Sequence, residues 1–178
     1  MSADYLKILT VLLMTVSCAG KISAQDNSIG MSYTFSCIGL CYERDIRQDT
    51  FIDLSLKAET GEILLDRATA PGISASFTWN TILGSRELNE TDRIDFFAGP
   101  GVHVGWSQDF RKGKGINFGL KGSVGLRFRF ARNAEISLCV PSVIGIHMTM
   151  QKEGMRMEYY RYGLLNTIIP EAGIRYRF

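Results

Sequence analysis

The sequence predicts an all-β chain that closes into an antiparallel up-and-down transmembrane barrel of eight strands. Three observations carry this. Apolar and polar residues alternate with period two over most of the chain. Several alternating runs far exceed the about 5–6 residues of an ordinary strand. No apolar run approaches the about 20 residues that a membrane helix needs, whereas a tilted membrane strand needs only about 9–11. Alternation dilutes the hydrophobicity of such a strand, so a mean hydropathy of +0.02 fits a barrel as well as a soluble domain.

The first element is a leader. Lys7 precedes the apolar run Ile8-Leu9-Thr10-Val11-Leu12-Leu13-Met14-Thr15-Val16, then small residues lead to Ala24-Gln25-Asp26. That order describes a secretory signal peptide over 1–24, leaving 25–178 as one barrel domain. Ser17-Cys18 is a rival lipoprotein site, disfavoured by Thr15 where such signals carry Leu. Removing Asp4, Lys7 and Lys21 takes the 20 basic and 18 acidic residues to 18 and 17. A net charge near +1 gives no footprint for nucleic acid. Three cysteines stay in the mature chain, Cys37, Cys41 and Cys139. Their odd number excludes a complete disulfide framework. Space-filling thiols are the favoured reading, with a Cys37–Cys41 or Cys41–Cys139 bridge as the alternatives.

The strands follow in order. Ile29, Met31, Tyr33 and Phe35 share one phase; Ile38, Leu40 and Tyr42 take the opposite one. The flip near Ser36-Cys37 is either a bulge in one strand or a tight hairpin between two. An even strand number, expected when both chain ends lie on the periplasmic side, selects the hairpin. Asp45-Ile46-Arg47-Gln48-Asp49 is a short turn before the alternation of 51–59. Residues 72–83 and 93–106 give two more strands, and Gly99-Pro100-Gly101 predicts a bulge or bend in the second. The longest runs are 116–130 and 134–150, joined by the turn Ala131-Arg132-Asn133 into a hairpin. Periplasmic turns are then expected near 46–50, 84–92 and 131–133. Outer loops are expected near 60–71, 107–114 and 150–167.

The chain ends in Glu171-Ala172-Gly173-Ile174-Arg175-Tyr176-Arg177-Phe178, with Ile174, Tyr176 and Phe178 on one face. Glu171, Gly173, Tyr176 and Phe178 together resemble the C-terminal assembly signal of bacterial outer-membrane barrel proteins. In size and layout the mature chain resembles the small barrels of the OmpX type and the OmpA transmembrane domain. The resemblance implies the outer membrane of a Gram-negative bacterium, handling by the barrel-assembly machinery, contact with outer-membrane lipid and lipopolysaccharide, and a monomer.

The inward face collects Glu43, Asp53, Lys57, Glu59, Asp95, Lys121, Arg127, Arg129, Glu135, Glu171, Arg175 and Arg177. An eight-stranded barrel is just wide enough for side chains to fill it, and buried charges persist only when paired. A salt-bridged plug is therefore expected, with Arg127–Glu135, on adjacent strands, as the best-placed pair. His103 and His147 also face inward. Asp95 and His103 share a face but stand eight residues apart, about 26 Å along a strand, too far to act together. No nucleophile, metal or cofactor motif is legible, so no catalytic residue is assigned. The outer loops hold the candidate binding residues Arg111, Lys112, Lys114, Arg156, Tyr159, Tyr160 and Arg161, a basic and aromatic set suited to anionic lipopolysaccharide. The commoner role for such tyrosines is an interfacial girdle. The favoured function is a non-enzymatic structural or surface-interaction barrel. A lipid A-modifying enzyme and a narrow pore are the alternatives.

Overall fold

The computed structural model describes residues 27–60, 71–89, 92–109, 113–130, 133–151, 154–165 and 169–178. The expected leader, Arg111, Lys112, Ala131-Arg132 of the predicted turn and most of the 60–71 loop lie outside them. Among the described residues the strands are β1 (Asn27–Tyr33), β2 (Cys37–Arg47), β3 (Thr50–Glu59), β4 (Gly72–Glu87), β5 (Arg93–Gln108), β6 (Lys114–Phe130), β7 (Ala134–Gln151), β8 (Gly154–Tyr159) and β9 (Glu171–Arg177), with one short helix, α1 (Arg161–Leu165), between the last two. Every neighbouring pair is antiparallel. β1 through β7 follow in chain order, and β9 closes the ring by pairing with both β7 and β1. β7 is long enough to serve two partners: Ala134–Cys139 pairs with β9, and Ile146–Gln151 pairs with β8. β8 and β9 thus share one stave, and the barrel has eight.

Outside and inside are reversed relative to a soluble protein. Along β6 the outward row Ile116, Phe118, Leu120, Val124 and Leu126 is exposed, while Asn117, Lys121, Ser123 and Arg127 are buried. β7 keeps the same phase throughout, so Val143 faces inward against the polar row. Water would penalise such an exterior at about 25 cal/mol per Å² of apolar surface; hydrocarbon would not.

The hairpin reading of the N-terminal third holds. β1 and β2 pair through Tyr33↔Ile38, Met31↔Leu40 and Ile29↔Tyr42, with all six side chains on the outward face. The turn is locked by Thr34, whose N–H donates to the Cys37 carbonyl (2.8 Å) and whose hydroxyl accepts from the Cys37 and Ser36 amides (3.0 and 3.2 Å). At the closing seam Gly30 faces Arg175, and a Cβ there would stand 1.9 Å from the Ile174 carbonyl oxygen. Only glycine fits that approach.

Several expectations are corrected. Gly99-Pro100-Gly101 makes no bulge: β5 pairs with β6 straight through Pro100↔Gly122. The proline instead interrupts the ladder to β4, which has no pairs at Trp79 and Asn80, as a residue without an N–H requires. The bulges lie at Asp45/Arg47 on β2 and Ile82/Gly84 on β4. β4 runs to Glu87, so the predicted 84–92 turn shrinks to 88–92, held by Leu88 N–H to the Asp92 carbonyl (2.9 Å). The 150–167 loop contains β8 and α1. Cys37, Cys41 and Cys139 are free thiols, which disposes of both disulfide alternatives.

Candidate functional site

The lumen is filled in two layers. The lower one, toward Asn27 and Phe178, centres on Arg127 of β6, which is fully buried. Its guanidinium donates to Glu43, to Asp45 (3.1 Å) and to Asp95 (3.2 Å), and its Nε lies 3.9 Å from Glu135. Glu43 and Asp45 come from β2, which stands four places from β6 in a ring of eight. These contacts therefore cross the full diameter of the barrel. The Phe51 ring lies 4.1 Å from the Arg127 guanidinium carbon and meets Phe97 edge-on at 5.1 Å, a cation–π floor beneath the charges.

The other members complete the network. Arg129 reaches Asp45 (2.7 Å) and Glu135 (3.5 Å), and Arg177 reaches Asp45 (3.2 Å). Arg175 bonds Asp53 (3.2 Å) and the Ser137 hydroxyl (2.5 Å), and lies 3.7 Å from Glu43 and 3.6 Å from Glu135. Arg93 pairs with Asp95 and with the Ser85 hydroxyl (2.7 Å). Glu135 stands within ion-pair range of three arginines yet accepts no hydrogen bond among the described residues. Its contribution is charge, not geometry. One level up, Lys57 pairs with Glu171. Lys121 makes no ion pair among the described residues; it donates to the Ser76 hydroxyl (2.8 Å), which also bonds Ser55 (2.7 Å).

Glu43, Lys57, Asp95, Arg127, Glu135, Glu171 and Arg175 are buried and lie within ion-pair range of an opposite charge. Asp45 and Arg93 were missed. Asp45 lies beside the β2 bulge and opens a segment whose composition imitates a turn.

The upper layer is a cover made by the chain after β8. The Tyr160 amide donates to the Gly145 carbonyl (3.0 Å), continuing the β8 ladder by one residue. Its phenol turns inward, donating to the Glu59 carboxylate (3.1 and 3.2 Å) and stacking on His103 at 5.5 Å between ring centres. Burial, with the Glu59 carboxylate alongside, holds the Tyr160 phenol well above its ordinary range. Tyr160 and Tyr162 close over Val143 as an apolar cluster. The Asp109 carboxylate, at the end of β5, accepts the first two helical amides, Arg161 (3.1 Å) and Tyr162 (3.0 Å). Those donors have no partner within a helix, so a carboxylate there both satisfies them and complements the helix dipole. An Asp109→Ala variant is expected to loosen α1 by about 1–2 kcal/mol. Amide exchange at Arg161 and Tyr162 should accelerate while that of the β6 core stays slow; unchanged exchange would remove the cap from the account.

The candidate loop-binding set is dispersed. Tyr160 is buried and belongs to the lumen, which corrects its assignment to an outer binding surface. Lys114 opens β6 and lies over the Trp106 ring at 5.0 Å. Arg156 and Tyr159 are on β8, where Arg156 pairs with Glu158 and Tyr159 is exposed on the outward face. Arg161 is exposed at the start of α1. His147 contacts the Gly113 carbonyl (3.2 Å).

Comparison with family models and with curated proteins finds no match. Solved structures do match. The N-terminal β-barrel domain of Pseudomonas aeruginosa OprF superposes with a TM-score of 0.53 at 13% identity, covering 87% of this chain and 98% of that one. Ail, the attachment invasion locus protein of Yersinia pestis, aligns with a TM-score of 0.36 at 14% identity, covering 86% and 97%. At these identities the likeness is one of fold. The protein has the eight-stranded antiparallel barrel fold of outer-membrane proteins.

Proposed function

We propose that the protein is an integral, monomeric outer-membrane barrel of a Gram-negative bacterium, with a sealed lumen and a non-enzymatic role at the cell surface. The observation that carries this is the Arg127 bridge from β6 to Glu43 and Asp45 on the facing wall. A channel needs a continuous water path, and side chains tied across the diameter support a lumen blocked at that level. The end at Asn27 and Phe178 then faces the periplasm, and the mouth covered by Tyr160 and α1 faces outward. Lys114, Arg156, Tyr159 and Arg161, with Arg111 and Lys112, are the groups available to lipopolysaccharide phosphates or another surface.

Planar-bilayer recording tests the sealed lumen. The unmodified protein should give no large, long-lived conductance; a steady channel would move it to the pore class. The outer-membrane assignment has its own test. In this reading Glu171, Gly173, Tyr176 and Phe178 are the signal read by the assembly machinery, with Ile174, Tyr176 and Phe178 on the outward face. Removing Phe178 should abolish the heat-modifiable folded band and leave the chain degraded or in the periplasm. A normal folded band after the deletion contradicts the signal.

A further inference from the structure

Two bulges bracket one cavity at the mouth by Asn27 and Phe178. The β2 bulge carries Ile46 and the β4 bulge carries Leu83, and between them lies a space of about 750 Å³. Small-molecule sites span about 300–1,000 Å³. Bulges re-aim side chains and gather beside functional sites; here both turn residues toward the same opening. The two segments are tied to each other by the Ile82 amide, which donates to the Asp49 carbonyl (2.7 Å).

Arginine dominates the charged lining of this space. Deeper in the lumen, cations and anions are interleaved, but four guanidinium groups line the cavity, Arg47, Arg93, Arg129 and Arg177, against the two carboxylates Asp45 and Asp49. Asp45 receives Arg127 at one oxygen (3.1 Å) and both Arg129 (2.7 Å) and Arg177 (3.2 Å) at the other. Arg127 and Arg129 are further compensated by Asp95 and Glu135, and Arg93 by Asp95. Arg47, exposed at the end of β2, makes no ion pair among the described residues, so its guanidinium is open to a ligand. Guanidinium forks match the tetrahedral oxygens of phosphate and bind them bidentately. Ile46 and Leu83, both exposed, form an apolar lip beside the charged floor.

We propose that this vestibule binds a phosphate group. Two sources share that chemistry: a soluble phosphorylated molecule, and the headgroup of a phospholipid in the adjacent leaflet, whose chains would meet Ile46 and Leu83. The inference rests on the membrane-barrel reading only for which compartment the mouth faces. Folding in detergent is scored by the heat-modifiable band before phosphate is added, so failure of that reading and failure of the site are told apart.

The protein is folded in dodecyl maltoside, which carries no phosphate, and inorganic phosphate is titrated in at constant ionic strength. Amide resonances of Asp45–Thr50 and of Ser85 should shift saturably, and chloride at the same strength should not reproduce the shift. In a second arm, nanodiscs containing phosphatidylglycerol are compared with nanodiscs of neutral glycolipid. Saturation by free phosphate identifies a soluble ligand. A shift seen only with phosphatidylglycerol identifies the lipid, and either result supports the site. Arg47→Gln and Arg93→Gln are each expected to weaken the response at least tenfold. Arg47 is exposed at the end of β2, outside the Arg127 network, so its variant should retain a heat-modifiable folded band. No saturable response in either arm, or a response in Arg47→Gln equal to that of the unmodified protein, overturns the proposal.

Discussion

Replacing Arg127 by Met is expected to cost about 3–5 kcal/mol of stability, the usual loss when one partner of a buried ion pair is removed. Glu43, Asp95 and Glu135 would remain in a space where all three are nearly or fully buried. They would then repel one another across the lumen. Denaturant titration in detergent should show the lowered midpoint. The double variant Arg127→Met with Glu43→Gln should recover part of the loss, because it removes one of the stranded charges. A loss below about 1 kcal/mol, the level of an exposed pair, would mean that Arg127 is hydrated and the lumen is not sealed there.

Leu126→Arg is the second large effect. Leu126 faces outward next to Phe96 on β5 and Leu138 on β7. An arginine there should cost about 2–4 kcal/mol if the position lies near mid-bilayer. Leu126→Met, a swap of similar volume, should cost less than about 1.5 kcal/mol. Equal costs for the two variants would place this face in water. Ser123, on the opposite face, is a poor neutral control. Its hydroxyl donates to Asn80 (2.6 Å), so a larger side chain would be penalised by crowding and not by dehydration.

The strands were legible because period-two alternation records which wall of the barrel a residue faces, and that pattern needs no tertiary information. The Tyr33↔Ile38 hairpin, the phase of β6 and the inward charges all follow from it. The pairing of the charges does not. Arg127 and Glu135, neighbours by sequence logic, sit 3.9 Å apart, while the closer partners of Arg127 lie across the lumen on β2. That choice depends on the number of staves and their stagger, which set who faces whom across the axis. Asp45 is in phase with Cys41 and Glu43, but it opens Asp45–Asp49, whose composition imitates a turn, and that hid it. Tyr160 was misplaced although its signal was present. Met155, Met157 and Tyr159 alternate with Arg156, Glu158 and Tyr160, a strand pattern that puts Tyr160 on the inner face. The aromatic content of the segment had masked its periodicity.

The staves are unequal, and a bilayer must respond to that. β4 to β7 have 16 to 18 residues, whereas β1 and β9, which meet at the closing seam, have seven each. Seven residues extend about 23 Å along a strand. At a tilt of about 45° they cover roughly 16 Å of membrane depth, short of the apolar band of about 25 Å on ordinary barrels of this kind. In a bilayer, lipids beside Ile29 and Met31 on β1 would meet a lower wall than those beside β6, while the β9 stave regains height through β8. Hydrophobic mismatch would then be confined to one side of the barrel, with the weakest lipid packing along β1.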